Sequence, residues 1–280
     1  MRNVNAGAIS KLVTELCIEA NTKLRIDIRR AIHTALKKET NALSKKHLKM
    51  LIENADIASK ERIAICQDTG MVVVFAEIGQ DVHIVGGALK DAVDNGVECA
   101  YREGYFRKSV VRCPLKRKNT GTNTPAILHT TIAPGNSFRV WVMVKGFGSE
   151  NKSAIKMLHP TATEEELIDF ILDTVRQAGA EACPSLAIGI GMGGTFDYAA
   201  HLAKKSLLRD IGRKNPERHL AILEKKIADK VNKLGLGPMG LGGKATALGV
   251  TILSSATHIA GLPVAVNISC HATRSAYGKL

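Results

Sequence analysis

The sequence predicts an α/β fold in which mixed sheets are flanked by helices and a helical segment comes first. Three observations carry this reading. Roughly the first 60 residues place their apolar side chains at helical spacing. Beyond them, short runs rich in Val and Ile alternate with helical patterns, as in layered α/β folds. No internal repeat and no Ser/Pro-rich linker interrupts the 280 residues, so a single large domain over 1–280 is expected.

The elements follow in order. Ile9, Leu12, Val13, Leu16 and Cys17 form one helical stripe, Leu24, Ile28, Ala31, Ile32 and Leu36 a second, and Leu48, Leu51, Ile52 and Ala55 a third. The pattern then switches to a short apolar strand over 72–77 and a helix over 86–103 that opens at a Gly-Gly pair. Residues 112–125 (RCPLKRKNTGTNTP) read as a polar loop. Strands over 126–132 and 138–145, with Pro134-Gly135-Asn136 between them, read as a hairpin. Thr163 followed by three glutamates is a capping-box signature, for a helix that ends at Gly179. A buried-type strand over 184–190, a glycine loop and a helix over 196–208 come next. The last helix, about 217–234, stops at Gly235 before the glycine loop GLGPMGLGG, and strands over 246–253 and 263–268 follow.

Composition narrows the function classes. No apolar run approaches the roughly 20 residues that span a bilayer. The N-terminal MRNVNAGAISKLVTEL lacks the continuous apolar centre of a signal peptide, so a soluble cytoplasmic protein is expected. The net charge of +13 is compatible with an acidic substrate, an acidic partner or nucleic acid. The basic residues are dispersed as pairs beside Glu or Asp, however, and aromatics are not interleaved with the denser run Lys116-Arg117-Lys118. A solvated surface is therefore favoured over a nucleic-acid face. Six cysteines in a chain of 280 residues do not read as a disulfide framework.

Three constellations stand out. Residues 66–70 (CQDTG) set a thiol, an amide, a carboxylate and a hydroxyl side by side between two apolar stretches. Gly189 to Gly194 match the G-x-G-x-x-G spacing after a strand and before a helix, which keeps a dinucleotide-dependent oxidoreductase as an alternative. The second strand with its terminal acid that such a unit requires is missing. Cys66, Cys183 and Cys270 each border a predicted strand and a polar or glycine-containing loop, and three thiolates are able to hold an iron–sulfur cluster with one iron left open. Without a C-x-x-C pair, three ordinary cysteines remain the alternative. Cys17, Cys99 and Cys113 read as ordinary side chains. His258, in a turn, and Arg107 each have a structural and a binding reading.

Taken together, CQDTG (66–70), NTGTN-P (119–125), KGxGSEN (145–151), ACP with GIGMGGT (182–195), LGLGPMGLGG (234–243), and HxAxxPVA with CxAxR (258–274) carry a resemblance. In this order and over nearly the whole chain, they resemble the α subunit, or N-terminal catalytic part, of the iron–sulfur-dependent class I fumarases and L(+)-tartrate dehydratases. The resemblance implies a single large catalytic domain and a [4Fe–4S] cluster held by Cys66, Cys183 and Cys270, with one iron not bound by cysteine. It implies that Gln67, Arg107, His258 and the glycine turn at Gly146 and Gly148 contact a C4 dicarboxylate. Asp68 is then the candidate for protonating the departing hydroxyl. Single-chain relatives continue into a C-terminal domain that supplies a threonine base. The implied partner here is a separate β subunit that completes the site, in an α2β2-type heteromer. Many relatives have a glycine where this chain has Phe147, which puts the shape of that turn in question. The expected reaction is reversible hydration of fumarate to (S)-malate, with L(+)-tartrate dehydration as the alternative, and no nucleic acid or membrane is expected among the partners.

Overall fold

The computed structural model describes residues 1–280 and has the expected mixed α/β character. The chain is organised as two compact units. Unit 1 contains Met1–Arg25, Asn54–Phe147 and Arg274–Leu280, and unit 2 contains Ile26–Glu53 and Gly148–Thr273.

In unit 1, β1 (Arg2–Asn5) leads into α1 (Ala6–Thr22), whose first turn is capped by the Asn5 side chain accepting the Gly7 N–H at 2.7 Å. β1 pairs in parallel with β3 (Val82–Val85). The main sheet of the unit runs β10 (Arg274–Lys279), β5 (Phe138–Lys145), β2 (Met71–Gly79), β4 (Ile127–Ala133). Alternate residues of β2 (Val72, Val74, Ala76, Ile78) and of β5 (Phe138, Val140, Val142, Val144) share one core with Ile9, Val13, Leu16 and Cys17 of α1 and with Val93, Val97 and Tyr101 of α4 (Leu89–Glu103). Burial pushes the Cys17 thiol far up, as the reading of an inert core cysteine requires.

The expected hairpin is corrected here. β4 and β5 do not pair with each other. β2 lies between them, parallel to β4 and antiparallel to β5. β2 is almost wholly apolar and buried, so it takes the central position, whereas β4 is largely exposed and suits an edge. The Pro134–Asn136 turn closes on β2 instead: Gly79 donates to Ser137 O at 2.7 Å, and a Cβ on Gly79 would lie 2.2 Å from Gly135 O.

In unit 2 the sheet order is β6 (Ala154–Leu158), β9 (Leu262–Ser269), β7 (Leu186–Gly194), β8 (Ala247–Thr257). α6 (Glu164–Ala178) begins in the expected capping box on Thr163 and Glu166 and packs with α8 (Arg218–Asn232) around Leu167, Ile171, Leu220 and Ile227. α7 (Phe196–Ser206) lies on β7 and β9, and α2 (Ile26–Lys38) lies on β8. The remaining helices are α3 (Ala42–Glu61), divided between the units after Glu53, and the single turn α5 (Phe147–Glu150).

The second correction concerns the glycine run 189–194. It forms the second half of β7 rather than a loop after it. A Cβ on Gly189 would lie 2.3 Å from Ala203 O, and one on Gly191 would lie 2.1 Å from Ala199 O. These glycines let α7 press its backbone onto the strand, and no phosphate cradle forms there. The dinucleotide reading loses its site. Lysines expected on helical surfaces are paired with acids: Lys226 with Glu164 and Glu165, Lys230 with Glu165, and Lys225 with Asp229.

Candidate active site

The CQDTG turn of unit 1 is anchored at every residue that follows its cysteine and amide. On its N-terminal side, Ile65 N–H donates to Asn21 O at 2.9 Å, and Asn54 Nδ2 donates to Ile65 O at 2.9 Å. Cys66 is partly exposed, its thiol 3.4 Å from Gln67 Oε1, and Gln67 itself is exposed. The Asp68 carboxylate is fixed through both oxygens: Oδ1 accepts the Gly70 N–H at 2.9 Å and Oδ2 accepts the Phe147 N–H at 2.7 Å. The first bond is a local Asx-type turn, which the sequence Asp-Thr-Gly encodes. Gly70 adopts φ +68, and a Cβ there would sit 2.7 Å from Lys145 O.

Three buried side chains hold the backbone of the turn. Tyr101 Oη donates to Thr69 O and lies 3.2 Å from Gly70 O, and burial pushes its hydroxyl well above the ordinary phenol range, so it remains a donor. Asn123, fully buried, donates to Gly70 O at 3.1 Å while its Oδ1 accepts the N–H groups of Ser109 (2.7 Å) and Val110 (3.2 Å). Arg274 Nη2 donates to Asp68 O at 2.7 Å. Thr69 Oγ1 donates to Arg107 O at 2.6 Å, which ties the segment carrying the exposed Arg107 side chain to the turn. Gly146 borders the carboxylate: a Cβ there would lie 3.1 Å from Asp68 Oδ2. Unit 1 therefore gathers Cys66, Asp68, Gly146 and the Arg107 backbone. Phe147 has no positive φ and contributes a backbone N–H, so this turn does not require glycine at 147.

Unit 2 brings Cys183 and Cys270 to one end of its sheet. β7 and β9 run antiparallel with Ala187 opposite Ser269, which puts the residues just before β7 beside those just after β9. Cys183 caps a 3-10 turn in a left-handed conformation (φ 52). Its carbonyl accepts the backbone N–H of His271 at 3.4 Å and the ring Nδ1–H of His271 at 3.1 Å. The Cys270 carbonyl accepts Thr273 Oγ1 at 2.8 Å. His258 lies in an exposed turn after β8, its Nδ1 accepting the Ala260 N–H at 3.2 Å. Gly148 is exposed, and a Cβ there would make ordinary contact, 3.7 Å from Glu181 O.

None of the six cysteines is in a disulfide, and Cys66, Cys183 and Cys270 are each partly exposed. Within neither unit do three His, Cys, Asp or Glu side chains cluster to hold a metal, in keeping with one candidate ligand in unit 1 and two in unit 2. The donor chemistry fits an iron–sulfur group: soft thiols, unpaired as disulfides, reachable from solvent and held on anchored loops. Sequence reasoning assigned no role to Tyr101, Asn123 or Arg274. The signal for two of them was present, since Asn123 ends NTGTN and Arg274 ends CxAxR.

Comparison with known proteins gives the family of the chain. The family described as Fumarate hydratase (Fumerase) matches residues 10–279. The chain is 41% identical to the putative L(+)-tartrate dehydratase subunit alpha of Methanocaldococcus jannaschii, over 97% of both chains. It is 27% identical to the L(+)-tartrate dehydratase subunit alpha of Escherichia coli K12, over 95% of this chain and 88% of that one.

Proposed function

Because the chain belongs to the fumarate hydratase (Fumerase) family, we propose that it is the α subunit of an iron–sulfur hydro-lyase acting on a C4 dicarboxylate, fumarate/(S)-malate in the first reading. The observation that carries the proposal is the Asp68 carboxylate, pinned by the Gly70 and Phe147 N–H groups two residues from Cys66. A dehydration of this kind must break a C–O bond whose leaving group is hydroxide and a C–H bond of low acidity, so it needs both an acid and a base. Asp68 is placed to hold the proton that the departing hydroxyl takes. Its fixed orientation supplies the positioning part of catalysis. Gln67 orients the hydroxy acid, Arg107 and His258 bind its carboxylates, and Gly146 and Gly148 let the backbone approach it.

Cys66, Cys183 and Cys270 would hold a [4Fe–4S] cluster, which when bound supplies Lewis-acid polarisation through an iron that no cysteine ligates. The base and further carboxylate contacts come from a β subunit in an α2β2-type assembly. The α-subunit names of the relatives support a partner subunit, and on this reading the whole of 1–280 serves as the catalytic part. No helix is long and apolar enough to cross a membrane, which fits a cytoplasmic enzyme.

L(+)-tartrate is the second reading, favoured by the names of both relatives. The test is an anaerobic assay of the co-expressed α and β chains with fumarate, (S)-malate and L(+)-tartrate side by side. Turnover of fumarate and malate that disappears in Cys66→Ser supports the first reading, and turnover of tartrate alone selects the second. A colourless, iron-free complex that converts none of them refutes both.

A further inference from the structure

Arg274 opens β10 and is 2% exposed. Its Nη2 donates to the Asp68 carbonyl at 2.7 Å and its Nη1 to Asn21 Oδ1 at 3.4 Å, while its Nε is buried without a hydrogen-bond partner in the protein. Stability alone does not account for this residue. A buried cation is commonly matched or surpassed by an apolar side chain of similar volume, and an orphaned donor worsens the balance. What the guanidinium touches is the middle of CQDTG. Its Nη2 lies 3.2 Å from the point a Cβ would occupy on Gly146, and Asp68 Oδ2 lies 3.1 Å from the same point. Cation and carboxylate thus flank one small space that only glycine leaves open.

Resting on the assignment of Asp68 above, we propose that Arg274 is a positioning residue that fixes the Asp68 peptide and through it sets the carboxylate's orientation. The Asp68 carbonyl is held by Arg274, and the carboxylate by Gly70 and Phe147, so backbone and side chain are restrained by separate partners. The planar fork matters: two separate nitrogens reach acceptors on separate elements, Asp68 in the turn and Asn21 in α1, whereas a lysine carries all its donors on one nitrogen.

The experiment uses the anaerobically purified αβ complex with the substrate that the wild type turns over. Arg274→Met and Arg274→Lys are each expected to lower kcat about 100-fold with KM within about threefold, as for a misplaced catalytic group. Far-UV circular dichroism and iron content are expected to stay at wild-type levels. In Arg274→Ala, added methylguanidinium is expected to restore part of kcat, a response that a purely structural role would not give. Wild-type kcat in any folded variant, a raised KM with unchanged kcat, or no restoration by methylguanidinium overturns the proposal. Failure of all three variants to fold also overturns it, by making Arg274 a structural residue. Wild-type inactivity on every C4 substrate would refute the functional reading instead, so the two failures are separable.

Discussion

Alanine at Gly191 tests the reassignment of the glycine run most directly. A Cβ there would lie 2.1 Å from Ala199 O and 2.4 Å from Ala203 N, both backbone atoms of α7 that no rotamer change can move. To reach ordinary contact, α7 must retreat by about 1 Å, and a gap of that size forfeits a quarter to a half of each dispersion contact. The helix face concerned buries Ala199, Leu202, Ala203 and Ser206. With about 1.5–3 kcal/mol for a fully buried leucine and less for each alanine, the loosened face loses about 1–2 kcal/mol. Residual overpacking adds about 1–3 kcal/mol, for a total of about 2–5 kcal/mol. Urea unfolding followed by far-UV circular dichroism gives the stability change, and amide hydrogen exchange locates it in β7 and α7. A loss below about 1 kcal/mol with unchanged protection would refute the close-packing argument. A cofactor-cradling loop makes a different forecast: stability preserved, and dinucleotide affinity changed.

Three further outcomes are expected. Hydrogen bonds from Lys226 and Lys230 hold the Glu165 carboxyl at about 2, below its ordinary 4.5. That pairing therefore stabilises unit 2 fully above about pH 5 and is lost as pH falls toward 2. Acid-unfolding curves of wild type and Glu165→Gln should differ above that window and converge below it, with added salt shrinking the difference because the pair is exposed. Gly146→Ala should displace the Asp68 carboxylate by a few tenths of an ångström and lower kcat of the αβ complex roughly tenfold without altering its circular dichroism; unchanged kcat would contradict the packing at 146. Backbone N–H groups of Lys116 and Leu115 lower the Cys113 thiol, whereas burial raises that of Cys17, so iodoacetamide should label Cys113 in the native protein and Cys17 only after unfolding, as read by peptide mass spectrometry.

The elements legible in the sequence are those whose own residues decide their state. α6 declared itself through Thr163 and Glu166, and α1 through its apolar stripe. β1, β3, β6 and β10 are short or polar and take strand geometry from the neighbour they pair with, so no periodicity announced them. The hairpin reading failed because a turn between two strands fixes only the turn. Which strand lies between them is settled by burial across the sheet, and β2 outcompeted β4 for the centre. The glycine run failed for a related reason: spacing cannot tell a glycine that admits a phosphate from one that admits a helix, and only Ala199 and Ala203 of α7 reveal the second.

The same division runs through the candidate site. Cys66, Gln67, Asp68 and Gly70 are adjacent, and the Asp68–Gly70 bond closes within the motif, so CQDTG is readable as a unit. Its restraints come from far away: Asn123 reaches Gly70 across 53 positions, Phe147 reaches Asp68 across 79, and Arg274 reaches the same residue across 206. The separated motifs are thus parts of one construction. CQDTG holds the proposed acid Asp68, and NTGTN, KGFG and CHATR each supply one hydrogen bond to that turn. It follows that weakening any one of these three bonds should depress turnover more than it depresses folding, because a turn already closed by its own Asx bond loses orientation before it loses structure.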